Sequence, residues 1–152
     1  MKKSERISVF VEQLGTDSSL TLDPHYQGYF TLFNAQQYYE AHDVLEDLWL
    51  RTTDENYRFF KGLIQLAGAF VHLQKQFEHP THAKHGRRLR PAVRLFDLSA
   101  ANLAPFRPLH LQFDVAEACE LCRVQAAAVI ASDFLHNPWS PAMAPQLVLL
   151  PE

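Results

Sequence analysis

Read by the spacing of its apolar positions, the chain is a succession of helical segments. Tyr26, Tyr29, Phe30 and Phe33 recur at steps of three and four, the spacing that lines one face of a helix. Asp23 followed by Pro24 supplies its start, a side-chain cap and then a residue whose fixed φ suits the first helical turn. A second segment, from about Ala35 to Leu50, gathers Tyr38, Ala41, Leu45, Leu48 and Trp49 into one apolar sector at about 100° per residue. Glu40, Asp43 and Asp47 fall opposite, where water can solvate them, and Tyr39, His42 and Glu46 lie at the margin.

Thr52 and Glu55 stand at capping-box spacing ahead of a third helix that extends to about Phe77. Its centre, residues 63–73, is apolar nearly all round, so it is expected to be buried on most sides. Gly62, Gln65, Ala69 and His72 share one stripe, and the small residues in it let a neighbouring helix come close. A fourth helix is expected over about Ala83–Ala101, interrupted at Pro91. Residues 102–111 contain Pro105 and Pro108 and read as a connection. Asp114 and Glu117 open a fifth helix, from Val115 to about Leu135.

The ends differ from this middle. Residues 1–22 read as a short helix or arm that closes in a loop over Gly15–Ser19. Residues 136–152 are proline-punctuated and extended, and their apolar end, Leu147 to Leu150, is expected to pack on the domain or on a partner. No strand pattern of useful length precedes that tail. The expected fold is all-α, a compact bundle of about five helices around a buried central one, with the helical domain over residues 23–135.

Composition narrows this further. With 152 residues, 47% of them hydrophobic and 20% charged, the chain suits one folded domain. A net charge of −3 argues against whole-surface binding to nucleic acid. There is no run of about 18 uninterrupted apolar residues to span a membrane. The charged N-terminal stretch leaves no room for a signal peptide's apolar region, so a cytoplasmic location is expected. Two cysteines cannot build a disulfide scaffold, and Cys119 and Cys122, set within a predicted helix, read as core thiols. Lys84, Arg87, Arg88, Arg90 and Arg94 form a basic block that reads as a solvated helix face, with Arg87, Arg90 and Arg94 as candidate anion ligands. His79, His82 and His85 read as surface histidines that, with those arginines, suit a phosphate patch below neutral pH. No stacking aromatics are interleaved there, which weighs against RNA. The eleven Phe and two Trp exceed what one small bundle readily buries, which makes a homodimer an expectation.

Candidate chemistry centres on two helices. His42 and Glu46 are four residues apart, close enough on one face to share a proton or a metal ion. In the buried third helix Gln65 and His72 need partners, since an unpaired buried polar group costs about 1–3 kcal/mol. Sequence neighbours joined by a short loop tend to pack together. The expected cluster is therefore Tyr39, His42, Glu46, Gln65 and His72. Three readings of it stand open. It is a hydrogen-bond network that fixes helix register. It is a metal site, with His42, Glu46, His72 and water suiting zinc or iron. Or it is a metal-free pocket, in which Glu46 orients His42 as a base and Gln65 holds an amide or carbonyl. No serine or cysteine nucleophile stands at a recognisable spacing beside these residues. The working expectation is a binding or interaction protein of unknown ligand, with no certain cofactor. A metal-assisted hydrolase using His42, Glu46 and His72 is the alternative.

Two stretches also carry a resemblance. Phe33-Asn34, then Tyr38-Tyr39-Glu40-Ala41-His42-Asp43-Val44-Leu45-Glu46 and Trp49, resemble the helix motif of the family called domain of unknown function 309. Gly62-Leu63-Ile64-Gln65-Leu66-Ala67-Gly68-Ala69-Phe70-Val71-His72 resembles that family's second motif, and Gly86 falls where its members place a glycine. The resemblance covers roughly Tyr29 to Leu95 and implies a small all-α domain without an established activity. Gly68 stands where alanine is usual, a change worth about 1 kcal/mol of helix propensity.

Overall fold

The computed structural model describes residues 2–15 and 21–151, so the loop expected over Gly15–Ser19 lies, beyond Gly15, outside the described residues. Six α-helices follow in order: α1 Lys3–Gln13, α2 Pro24–Asn34, α3 Tyr38–Leu50, α4 Asn56–Glu78, α5 Leu89–Leu103 and α6 Val115–Ala131. Between α5 and α6 sits a two-residue antiparallel pair, β1 Leu109–His110 and β2 Phe113–Asp114. The chain is thus a compact, mostly helical domain, with α1 added to the five helices of the bundle. None of its helices among the described residues is long and apolar enough to cross a membrane.

Local chemistry sets the boundaries. Asp23 caps α2, its Oδ1 accepting the His25 backbone N–H at 2.7 Å. Gln36 adopts a left-handed φ of 61° between α2 and α3, so the helix expected from Ala35 starts at Tyr38. The expected Thr52–Glu55 capping box does not form: Asp54 Oδ1 takes the Asn56 N–H at 2.9 Å, and Thr52 Oγ1 donates back to the Leu48 carbonyl. Helix α5 begins at Leu89 and not near Ala83, because residues 85–87 form a tighter 3₁₀ turn. Pro91 therefore falls in the first turn of α5, where its missing N–H costs nothing, and it interrupts no helix. Asp133 and Phe134 take left-handed φ values of 58° and 60°, ending α6 before the expected Leu135.

Helix α4 is the centre of the bundle, packed against α3 on one side and α5 on the other. Phe59, Leu63, Leu66, Phe70 and Leu73 are wholly buried along it. Phe70 is tied to both flanks by rings, with Tyr38 of α3 stacked at 5.4 Å and Phe96 of α5 edge-on at 5.2 Å. The stripe of Gly62 does admit a close neighbour, and that neighbour is α5. A Cβ on Gly62 would stand 2.8 Å from Leu103 Cγ, and Ser99 Oγ donates to the Gly62 carbonyl at 2.7 Å.

The C-terminal segment returns across the bundle. Asn137 Nδ2 donates to the Leu73 carbonyl at 2.8 Å, and the buried Trp139 donates from Nε1 to the Tyr38 hydroxyl at 3.1 Å. Asn34 then exchanges two 2.7 Å hydrogen bonds with the Leu147 backbone. Full burial of side chains the size of Trp139 and Leu147 stabilises such a clasp by about 1.5–3 kcal/mol each.

Candidate functional site

The five polar residues expected to meet between α3 and α4 are shared among three separate networks. On α3, His42 lies 3.3 Å from Asp43 Oδ1 through Nδ1 and 3.8 Å from Glu46 Oε2 through Nε2. Lys3 of α1 reaches Asp43 and Glu46, each at 3.7 Å, and the exposed Tyr39 ring lies parallel to His42 at 6.3 Å. Gln65 faces the other way. Its Oε1 accepts from Asn102 Nδ2 at 2.8 Å, and Asn102 in turn accepts from Arg58 Nε at 3.2 Å. His72 also faces α5, with Nδ1 3.0 Å from Arg88 Nη1.

The physical reason is the stripe itself. Gly62 lets α5 approach α4 along one face, and Gln65 and His72 ride on that face. No hydrogen bond or ion pair among the described residues joins them to His42 or Glu46. The expected zinc or iron set of His42, Glu46 and His72 is therefore not assembled. Among the described residues no group of three or more His, Cys, Asp or Glu side chains is placed to hold a metal ion.

Arg88 organises the third network. Its Nη1 donates to His72 Nδ1, while Nε and Nη2 both donate to His85 Nδ1, at 3.0 and 2.7 Å. A guanidinium can only donate, so both imidazoles accept at Nδ1 and carry their proton on Nε2. His82 is fixed in the same tautomer, its Nδ1 accepting the backbone N–H groups of Lys84 and His85 at 3.0 and 3.1 Å. The rings of His82 and His85 stack at 4.7 Å, with His79 5.6 Å from His85. Gln76 holds the loop to α4: its Nε2 donates to the Gly86 carbonyl at 2.9 Å and its Oε1 accepts the Arg88 N–H at 2.8 Å. Gly86 is required there, since a Cβ would lie 2.5 Å from the Pro80 carbonyl oxygen.

The electrostatics follow from that geometry. Partial burial, then Arg88 and Lys75, bring His72 down to about 4. His85 is also lowered, by desolvation first and then by Arg88, His82, Lys75 and His79. Lys75, Lys84, Arg87, Arg90 and Arg94 enter no ion pair among the described residues. Arg90 instead lies over the Phe134 ring, 4.0 Å from its centroid. Of the three expected anion ligands, Arg87 and Arg90 line one groove, and Arg94 is exposed one turn further along α5.

Two residues that matter were missed by the periodicity argument. Arg88 was read as part of a solvated face and is the half-buried hub. Asp47 was placed in water, yet its side chain is only 10% exposed, with Oδ2 3.2 Å from His25 Nε2 and 3.4 Å from Arg51. The signal for Arg88 was present: His72, on a buried helix, required a donor or acceptor from outside that helix. Cys119 and Cys122 are free thiols, and burial pushes Cys122 up to about 12, which leaves it protonated and inert at neutral pH.

The architecture thus defines a small all-α domain with a histidine- and arginine-rich end. Residues 26–82 match the family model described as Domain of unknown function (DUF309), and the chain carries a DUF309 domain there. The match takes in α2, α3, α4 and the start of the histidine loop; α1, α5 and α6 lie outside it. No curated protein and no solved structure matches the chain.

Proposed function

We propose that the domain is a binding protein for an anionic ligand. Its site is the basic end formed by the last turns of α4, the loop of residues 79–88 and the first turn of α5. The observation that carries this reading is the unpaired charge there. Arg87 and Arg90 have no carboxylate partner, and Arg88 donates only to imidazoles. With Nδ1 of His72, His82 and His85 occupied, each ring offers an Nε2–H donor and no free lone pair, which suits an anion better than a metal ion or a base. None of these Nε2 atoms is a sealed, unpartnered group. Asp133 lines the same groove, and among the described residues neither it nor Glu78 nor Asp97 pairs with an arginine.

In this reading Tyr39, His42 and Glu46 belong to the seat of α1, and Gln65 to the α4–α5 joint. Titration calorimetry with inorganic phosphate at pH 6.5 tests it. We expect saturable millimolar binding to the wild type, lost in Arg87→Ala/Arg90→Ala and kept in Arg123→Ala, whose arginine pairs with Glu120 in the middle of α6 and outside the groove. Equal heats in all three proteins contradict it.

A further inference from the structure

The basic end is not uniformly polar. A groove of about 360 Å³ opens beside it, lined by Gln76, Arg87, Arg90, Asp133, Phe134 and Leu135 among others. That volume falls at the small end of ligand sites, which run from about 300 to 1,000 Å³. One wall is cationic, from Arg87 and Arg90. The left-handed turn that ends α6 adds apolar surface from Phe134 and Leu135, with the Asp133 carboxylate beside it.

That turn is unusual in what it displays. Asp133 and Phe134 both adopt positive φ, a conformation side-chain-bearing residues seldom take, and it presents Phe134 to the Arg90 guanidinium. Leu135, next in the chain, is 85% exposed, the most exposed large apolar residue described. Stacking on an aromatic face holds a guanidinium in place while leaving its edge donors free for a planar acid group. The loop side of the groove is equally fixed, since Gln76 clamps Gly86 and Arg88.

From this we infer that the ligand is a monocarboxylic acid with an apolar body. Its carboxylate sits between Arg87 and Arg90, and its body lies on Phe134 and Leu135. Asp133 lines the same groove and disfavours a second negative charge, which separates this ligand from phosphate esters and polyanions. The inference rests on the anion-binding reading above and specifies the ligand of that site.

The test compares acetate, benzoate and inorganic phosphate on the full chain by calorimetry or chemical-shift titration. We expect benzoate to bind about tenfold more tightly than acetate, the discrimination typical of a small apolar contact. Leu135→Ser should bring benzoate down to the acetate level without moving acetate, and at so exposed a position it leaves folding untouched. Phe134→Ala should do the same, and Arg90→Ala should weaken both acids. Asp133→Asn should tighten phosphate several-fold. Equal binding of benzoate and acetate overturns this inference. If phosphate binds and benzoate does not, the inference fails and the anion site stands; if none of the three binds, both fail.

Discussion

His25 and His72 are both largely enclosed imidazoles in the same small bundle, and their surroundings are of opposite sign. His25, at the start of α2, lies between two carboxylates, 3.4 Å from Asp23 Oδ1 and 3.2 Å from Asp47 Oδ2. The His25 contact is the chief reason the Asp23 carboxyl titrates below its usual range. His72, near the end of α4, meets a guanidinium that forces it to accept. At the α2–α3 end, then, acids, imidazole and Arg51 balance one another within the fold. At the α4–α5 end the cations outnumber any internal partner, and the imbalance has to be met by water or by a ligand. In the proposed reading, the same residue type is structural at one end and part of a recognition surface at the other.

The largest way to break this contrast is Gly86→Ala. The new Cβ would meet a backbone oxygen at 2.5 Å, so the histidine loop must shift. We expect a loss of about 2–3 kcal/mol in urea unfolding together with loss of anion binding. The counterpart at the other end, Gly28→Ala, meets the tip of the Leu14 side chain at 3.0 Å and should cost under about 1 kcal/mol.

How much of this was legible beforehand depended on which force decided each feature. The Asp23-Pro24 start, the buried centre of α4 and the small-residue stripe were readable because each is local. The partner of that stripe was not. Chain adjacency pointed to α3, but α4 touches α3 and α5 alike, and Gly62 with Ser99 gives its small face to α5. Gln65 and His72 went with it, which split the expected cluster. Asp47 was misplaced for a similar reason: helix periodicity divides α3 into an apolar and a polar side, and it does not know that the N-terminus of α2 covers part of the polar one. Thr52 and Glu55 matched a capping pattern that Asp54, two residues closer to the helix than Thr52, pre-empted.

Asp47→Ala comes next in size. It strips one flank from His25 and the partner from Arg51, and we expect about 1–2 kcal/mol of destabilisation with anion binding unchanged. A change in anion affinity would contradict the independence of the two ends.

The pH dependence is somewhat smaller. His72 is held down to about 4 from the ordinary imidazole value of 6.5. Between those values the unfolded chain binds a proton that the folded chain refuses, so stability falls as pH drops through this window and is flat above it. Discounted for partial exposure, the loss is about 1 kcal/mol. Asp23 acts in a lower window, below 3.8, where protonating it removes stability at the opposite end. Urea titrations from pH 7 to 4.5 should show the first loss in the wild type and a reduced one in Arg88→Met. It is not abolished, because burial is the leading cause.

The smallest effect should be Lys3→Ala, whose 3.7 Å contacts to Asp43 and Glu46 are half in water. We expect less than about 0.5 kcal/mol in thermal unfolding. A larger loss would show that the α3 residues Tyr39, His42 and Glu46 hold α1 more firmly than a surface ion pair can.

The most direct test of the unbalanced end is a long-range ¹H–¹⁵N correlation of the histidine rings, recorded at neutral pH with and without inorganic phosphate. We predict Nε2–H tautomers for His72, His82 and His85, with phosphate moving those signals and leaving His25 and His42 in place. Nδ1–H tautomers at His72 and His85, or phosphate shifts spread equally over His25 and His42, would contradict the assignment of this end as the binding site.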